Sequence, residues 1–303
     1  MTIIAGFRCH EGVVICGDTQ ETLGSAKRNV QKVRVEAKYP RYIPRMDGTN
    51  GDLFAAFCGS GNGPFIDMLI DRAWKAAKDT ETLDAASGVV EEEIKHIYKE
   101  MGEIYQIGQC PSVEIIYGIR AGGESRLFLA SGPVVVEKLE YESSGIGSDI
   151  ANYLTSRMYG SSLNLYQCSI LAAYILLQAK NHVEGCGGKS HIAVLRNSGE
   201  CGLIEPRRVE SLTTLLESAD ISVGRLLLRT ADVGLSDEIF HRAVNEYVKS
   251  VEYPRQVAIQ AIKQSDDAHN FIMSIVSGSE TKIERDNFGF DKDTEEESES
   301  MNN

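Results

Sequence analysis

The chain of 303 residues holds one tryptophan, seven prolines and seven cysteines, and what these scarce residues fail to form limits what it can be. The cysteines (Cys9, Cys16, Cys58, Cys110, Cys168, Cys186 and Cys201) are odd in number, scattered and without a C-x-x-C pair. That pattern suits neither a disulfide framework nor a zinc site, and it points to a reducing compartment. The six histidines make no H-E-x-x-H or similar spacing, so no metal is expected. No apolar run approaches the roughly 18 residues needed to span a bilayer. The apolar start Ile3-Ile4-Ala5-Gly6-Phe7 is cut short by Arg8 and does not read as a signal peptide. A cytoplasmic protein without a membrane partner is the expectation. Positive charge is also short, and a formal net charge of -13 argues against nucleic acid or anionic lipid as partners, since both need a positive face.

What is present is the profile of a folded protein, with 42% hydrophobic and 25% charged residues. The acidity is uneven. Residues 277–303 carry nine acidic and three basic side chains, which leaves -7 for the rest. The end, Asp293-Thr294-Glu295-Glu296-Glu297-Ser298-Glu299, is a polar tract that cannot bury enough apolar surface to offset ordering, and reads as a solvated acidic tail.

Strand and helix periodicities alternate in blocks. Thr2–Cys9 and Val13–Asp18 read as a hairpin, Asn29–Val35 as a short strand, and a long loop with Pro40, Pro44, Gly48 and Gly51 follows. Leu53–Cys58 is a compact apolar strand running into Gly59-Ser60-Gly61-Asn62-Gly63, after which Pro64 suits a first helical turn. Helices are expected over 64–78 and 83–101, with Thr82 as a cap to the second. Strands return at 113–120, 126–130 and 134–140. Gly145-Ile146-Gly147-Ser148 then opens a helix to Met158, and a helix apolar almost all round covers 165–182. A closing hairpin over 192–195 and 202–205 is followed by helical patterns over 209–228, 237–251 and 255–264. Ser236 caps the middle one, with Leu235 and Phe240 as a hydrophobic staple. Strands, two helices, strands, two helices, strands is a layered α+β order and not an alternating βαβ series. The G-x-G at Gly59–Gly61 therefore makes a poor dinucleotide fingerprint, with Pro64 where a third glycine belongs.

Thr2 follows Met1 and leads directly into the first strand. Its side chain is small, so methionine removal would leave a free α-amine on a threonine. An α-amine titrates near pH 8, so much of it is neutral near neutrality and can accept the hydroxyl proton. One residue then supplies both nucleophile and base.

The surrounding pattern sharpens this. Thr2-Ile3-Ile4-Ala5-Gly6-Phe7-Arg8, Gly12-Val13-Val14-Ile15-Cys16-Gly17-Asp18-Thr19 and Asn29-Val30-Gln31-Lys32, with Gly59-Ser60-Gly61-Asn62, Gly145-Ile146-Gly147 and Gly185-Cys186-Gly187-Gly188, resemble the proteasome β-subunit family. That family includes the HslV-type peptidases and lies within the N-terminal-nucleophile hydrolases. The resemblance spans residues 2–205 and is most specific in the first thirty. It implies a four-layer α/β/β/α sandwich over 1–205, to which 206–276 add a helical extension and 277–303 the acidic tail. It implies Thr2 as nucleophile, Asp18 as the buried aspartate, Lys32 as the active lysine and Gly61 as the oxyanion-binding glycine. A lysine ammonium beside the threonine oxygen favours negative charge there, and Asp18 would hold that lysine charged and oriented. Arg34 is the rival to Lys32, because the spacing from Asp18 is shorter, and the loop before Gly59 longer, than the family's. The chain has Ile146 where the family usually has a serine, and Val183 and Cys186 where it has an aspartate and a serine.

Further implications are cleavage of peptide bonds without a cofactor, self-association into a ring or similar oligomer, an ATP-driven unfoldase as partner, and polypeptide substrates. A catalytically inactive scaffold subunit of the same fold and a small-amide hydrolase are the alternatives.

Overall fold

The computed structural model describes residues 2–23, 26–38, 53–105, 109–198, 201–252 and 255–256. In chain order its first elements are β1 (Ile3–Cys9), β2 (Gly12–Asp18), β3 (Gln20–Leu23), β4 (Ala26–Asn29), β5 (Val33–Ala37), β6 (Phe54–Gly61), α1 (Gly63–Ala77) and α2 (Leu83–Ile104). There follow β7 (Val113–Ala121), β8 (Glu124–Ser131), β9 (Val134–Lys138), β10 (Tyr141–Gly145), α3 (Ser148–Met158) and α4 (Leu165–His182). Then come β11 (Ser190–Arg196), β12 (Cys201–Leu203) and α5 (Pro206–Arg229), with a further helical run over 237–252.

Strands β1 and β2 are apolar apart from Arg8 and Asp18 because both of their faces are covered, unlike strands that alternate between core and water. They lie in the middle of one five-stranded antiparallel sheet, β10-β1-β2-β11-β12, which stacks on another, β5-β6-β7-β8-β9. Ile4, Val13, Ile15, Ala193 and Leu195 of the first sheet meet Phe54, Ala56, Cys58, Ile116 and Leu127 of the second. The outer face of the second sheet is sealed by α1 and α2 through Phe65, Ile66, Leu69, Val90, Ile94 and Ile97. Ile3, Ala5 and Phe7 on the outer face of the first sheet pack against Leu171, Ala172, Ile175 and Leu176 of α4. The architecture is thus α/β/β/α in four layers. The helix starts are where cap chemistry places them: Asn62 accepts from Phe65 N at α1, Thr82 from Ala85 N at α2, and Asn164 forms a capping box with Gln167 at α4.

Two expected strands differ from those formed. The run 29–35 is interrupted: Asn29 ends β4, which pairs only with β3 in a two-stranded ribbon that was not expected, and β5 starts at Val33 and pairs with β6. Lys32 sits in the gap. The run 134–140 stops at Lys138, because the chain leaves one sheet after β9, exposing Leu139 at the crossing, and enters the other with β10, a strand that was not expected either.

Helix α5 lies on the α4 layer through Val209, Leu212 and Leu216, and its Asp220 accepts hydrogen bonds from Tyr174 Oη (2.8 Å) and Gln178 Nε2 (2.9 Å). The described residues up to Arg255 belong to one compact unit. The Pro- and Gly-containing loop at 39–52, all but the first residues of the helix expected over 255–264, and the acidic tail over 277–303 lie outside the described residues. No helix among the described residues is long and apolar enough to cross a membrane.

Candidate functional site

Thr2 stands at the open end of β1, the strand held between β10 and β2. The turn Gly145-Ile146-Gly147 wraps its backbone: Gly147 N donates to Thr2 O at 3.3 Å. Gly145 is at φ +93°, and a Cβ there would lie 2.3 Å from Thr2 O, so close approach and the left-handed backbone both require glycine. This glycine pair serves the nucleophile candidate as well as opening α3. Ile146 turns outward and is 51% exposed, bringing no polar atom to the turn.

Asp18 ends β2, the neighbour of β1, and is fully buried. Its Oδ1 accepts from Thr2 Oγ1 at 2.5 Å, from Lys32 Nζ at 2.7 Å and from Ile3 N at 3.2 Å, while Oδ2 accepts from Gly187 N at 2.9 Å. A buried carboxylate is tolerated only when its charge is paired and its lone pairs are used, and here both conditions hold. Lys32 Nζ lies 2.5 Å from Thr2 Oγ1 and also donates to Gln20 O. The Thr2 hydroxyl therefore sits between an ammonium and a carboxylate. An ammonium at that distance favours any negative charge that develops on the oxygen. Arg34, the rival, points elsewhere and pairs with Glu36 (2.8 Å) and Asp71 (2.6 Å).

Gly61 closes β6 at φ +118°, immediately before Asn62 caps α1, so it stands at the positive end of a helix dipole. A Cβ there would approach Ser112 O to 2.5 Å. Thr2, Asp18 and Lys32 make direct contact with one another; Gly61 does not bond to them and sits on the facing sheet.

The loop between α4 and β11 contributes more than its composition suggests. Gly187 N holds Asp18, and Gly187 O accepts from Thr19 N (3.3 Å) and Gln20 N (3.0 Å). Lys180 braces this loop through Ser190 Oγ (2.9 Å) and Gly188 O (3.4 Å), with its pKa lowered chiefly by burial and pulled back up by Asp18. Gln20, Gly187 and Lys180 were not legible as site residues; the only signal was the glycine cluster before a strand. Cys186 is buried beside the Ile3–Gly147 contact, and burial, reinforced by Asp18 and opposed by Lys32, pushes its thiol up to about 11. It stays a neutral thiol near neutral pH. Val183 caps α4 with its side chain packed into the apolar layer. Among the described residues no group of His, Cys, Asp or Glu could hold a metal ion.

No protein-family model and no curated protein matches the chain. Solved structures do match in fold. An Anbu (Gly-1) mutant from Hyphomicrobium sp. strain MC1 superposes with a TM-score of 0.58 at 14% identity, covering 78% of this chain and 99% of that one. Anbu, an ancestral beta-subunit, from Yersinia bercovieri gives 0.59 at 13%, covering 74% and 97%. A helical assembly of the Anbu complex from Pseudomonas aeruginosa gives 0.59 at 12%, covering 75% and 96%. At these identities the likeness is one of fold, and nearly the whole of each of those chains is included in it.

Proposed function

We propose that the chain is a proteasome-like N-terminal threonine hydrolase that cleaves peptide bonds within an oligomeric assembly. The observation that carries this reading is the Thr2 hydroxyl held 2.5 Å from both Lys32 Nζ and Asp18 Oδ1 at the start of a buried strand. Once Met1 is removed, the Thr2 α-amine accepts the hydroxyl proton as Oγ attacks the scissile carbonyl. Lys32 favours the charge developing on Oγ, and the Gly61 N–H stabilises the oxyanion of the tetrahedral intermediate. Collapse expels the leaving amine, which takes the proton, and leaves an ester on Thr2. Water, deprotonated by the Thr2 α-amine, hydrolyses that ester, and the proton returns to the Thr2 oxygen as it leaves. No cofactor enters these steps.

In this reading residues 1–205 are the hydrolase domain, 206–276 a helical addition and 277–303 an acidic tail. Polypeptides are the substrates, and an ATP-driven unfoldase is the partner. Self-association into a ring or similar oligomer is supported by the fold neighbour solved as a helical assembly.

Intact-mass measurement of the purified protein tests the first step: Met1 must be absent from active material. An epoxyketone peptide should then label Thr2, and Thr2→Ala should abolish both labelling and peptide turnover. Retention of Met1 in active protein, or turnover unchanged in Thr2→Ala, overturns the reading. A catalytically silent scaffold is the second reading, supported by Ile146 and Val183, whose side chains offer no hydrogen bond with which to orient the amine or a water. Absence of labelling in protein lacking Met1 favours it. Turnover of small amides in preference to peptides favours a small-amide hydrolase.

A further inference from the structure

A second polar cluster lies between the two sheets and outside the Thr2–Asp18–Lys32 group. Ser60 on β6 and Ser144 on β10 belong to different sheets, and both are buried. Their hydroxyl oxygens are 2.6 Å apart. Ser144 Oγ donates to Glu114 Oε2 at 2.5 Å, and the other carboxylate oxygen accepts from Ser131 Oγ at 3.1 Å. A carboxylate only accepts, so the Ser144 proton is committed to Glu114 and the Ser144 oxygen is left to accept from Ser60. The chain of bonds has a single direction, from Ser60 to Ser144 to Glu114.

Its location gives it a consequence. Ser60 immediately precedes Gly61, and Ser144 immediately precedes Gly145, the residue pressed against Thr2 O. Glu114 pairs with Ser60 across β6 and β7. The cluster thus fastens the strand that ends at Gly61 to the strand that wraps Thr2, one residue behind each. Near this end of the sheets the rest of the contact is made by apolar residues such as Ile4, Cys58, Ile116 and Leu127, and another polar link, from Arg120 and Ser125 to Asn197, lies at the Gly12 end of β2, away from Thr2. Apolar contact is non-directional and tolerates small sliding of one sheet over the other, whereas a hydrogen-bonded chain fixes distance and register. Apolar side chains would seal this gap equally well without the burial cost of two hydroxyls.

We infer that Ser144 and Glu114 are positioning residues that set the separation between the Gly61 amide and the Thr2 hydroxyl. This deepens the threonine-hydrolase reading and rests on it. The oxyanion donor and the nucleophile come from different sheets, so their spacing depends on a link between sheets. The Ser60–Ser144–Glu114 chain supplies it.

The test uses the full-length assembled protein with a fluorogenic peptide and a peptide boronate, which forms a tetrahedral adduct on a threonine oxygen. Because misplacing reacting groups by about 1 Å costs on the order of 100-fold, Ser144→Ala and Glu114→Ala should lower kcat by about 10- to 100-fold with KM changed less than about twofold. Boronate affinity should weaken by a similar factor. Glu114→Gln, whose amide oxygen still accepts from Ser144, should keep kcat within about threefold of wild type. Thermal melts identify any variant that fails to fold, and the partly exposed Glu114 carries the test if Ser144→Ala does. Wild-type kcat and boronate affinity in Ser144→Ala and Glu114→Ala, or a rise in KM alone, overturn this inference and leave the hydrolase reading standing. A wild-type protein that neither turns over peptide nor is labelled at Thr2 overturns both.

Discussion

Lys32 reaches Asp18 across a reversal of the chain. Its Nζ lies 2.7 Å from Asp18 Oδ1, and the segment between them forms the β3–β4 ribbon that turns the chain back on itself. The carboxylate is fully buried and the lysine side chain is 10% exposed, so the pair is shielded from the solvent that makes surface ion pairs weak. Both groups also touch Thr2 Oγ1, which makes the ion pair inseparable from the candidate nucleophile.

Breaking this pair from one side should be costly. Lys32→Met leaves the Asp18 charge buried without its cation, for which the expected loss is about 3–5 kcal/mol of folding stability. Asp18→Asn also breaks the pair: both carboxylate oxygens accept hydrogen bonds, so an NH2 would face an N–H donor and the Lys32 ammonium would lose its anion, and a comparable loss is expected. Denaturant unfolding of the two variants checks this. A loss below about 1 kcal/mol in either would show that the two groups do not depend on each other's charge.

The hydroxyl of Thr2 is expected to be indispensable, with peptide turnover falling by on the order of 1,000-fold or more in Thr2→Ala, because the oxygen nucleophile is lost and the α-amine that remains has no hydroxyl to deprotonate. Thr2→Ser keeps an oxygen and an α-amine, and should retain measurable turnover. Steady-state kinetics on protein shown by mass to lack Met1 separates the two variants.

At Gly61, alanine meets both a left-handed backbone and the Ser112 carbonyl, and Gly61→Ala should destabilise by about 1–3 kcal/mol. Gly88, inside α2, offers a control. A Cβ there meets nothing within 4 Å, so Gly88→Ala should stabilise by about 0.5–1 kcal/mol. Melting temperatures moving in opposite directions are the expected result.

Burial raises the Cys186 thiol from its ordinary 9.0 to about 11. A group whose folded pKa lies above its unfolded one contributes stability that is complete below the unfolded value and is lost as pH rises through the folded one. Between pH 9 and 11 the wild type should therefore lose more stability than Cys186→Ser, which has no group titrating there. Melts of the two proteins across this range check it. Parallel curves would show that Cys186 ionises as freely in the fold as in the unfolded chain.

Much of the architecture was legible because its signals are local. The apolar runs of β1 and β2, the 3.6-residue periodicity of α1 and α2, the all-round apolar α4 and the cap Thr82 each depend on neighbours within a few residues. The interruption of 29–35, the end of 134–140 at Lys138 and the strands β3, β4 and β10 were not legible. Composition does not mark these boundaries, and only the choice of pairing partner decides where one sheet ends and the next begins.

The site divides along the same line. From the residues alone came Thr2 as a terminal nucleophile candidate, since an α-amine and a hydroxyl on one residue is a covalent property of the chain. Asp18, Lys32 and Gly61 came from resemblance, and Arg34 could stand for Lys32 because the spacing from Asp18 is shorter, and the loop before Gly59 longer, than the family's. The fold brings only one of the two to Thr2: Val33 pairs with Cys58, Arg34 turns to Glu36 and Asp71, and Lys32, in the gap between two strands, reaches Thr2 Oγ1. Gly187, Gln20 and the Ser60–Ser144–Glu114 chain belong to the tertiary structure alone, because their partners lie on other strands and in the other sheet. Periodicity reports which face of an element is buried; which atoms meet across that buried face depends on how the layers stack.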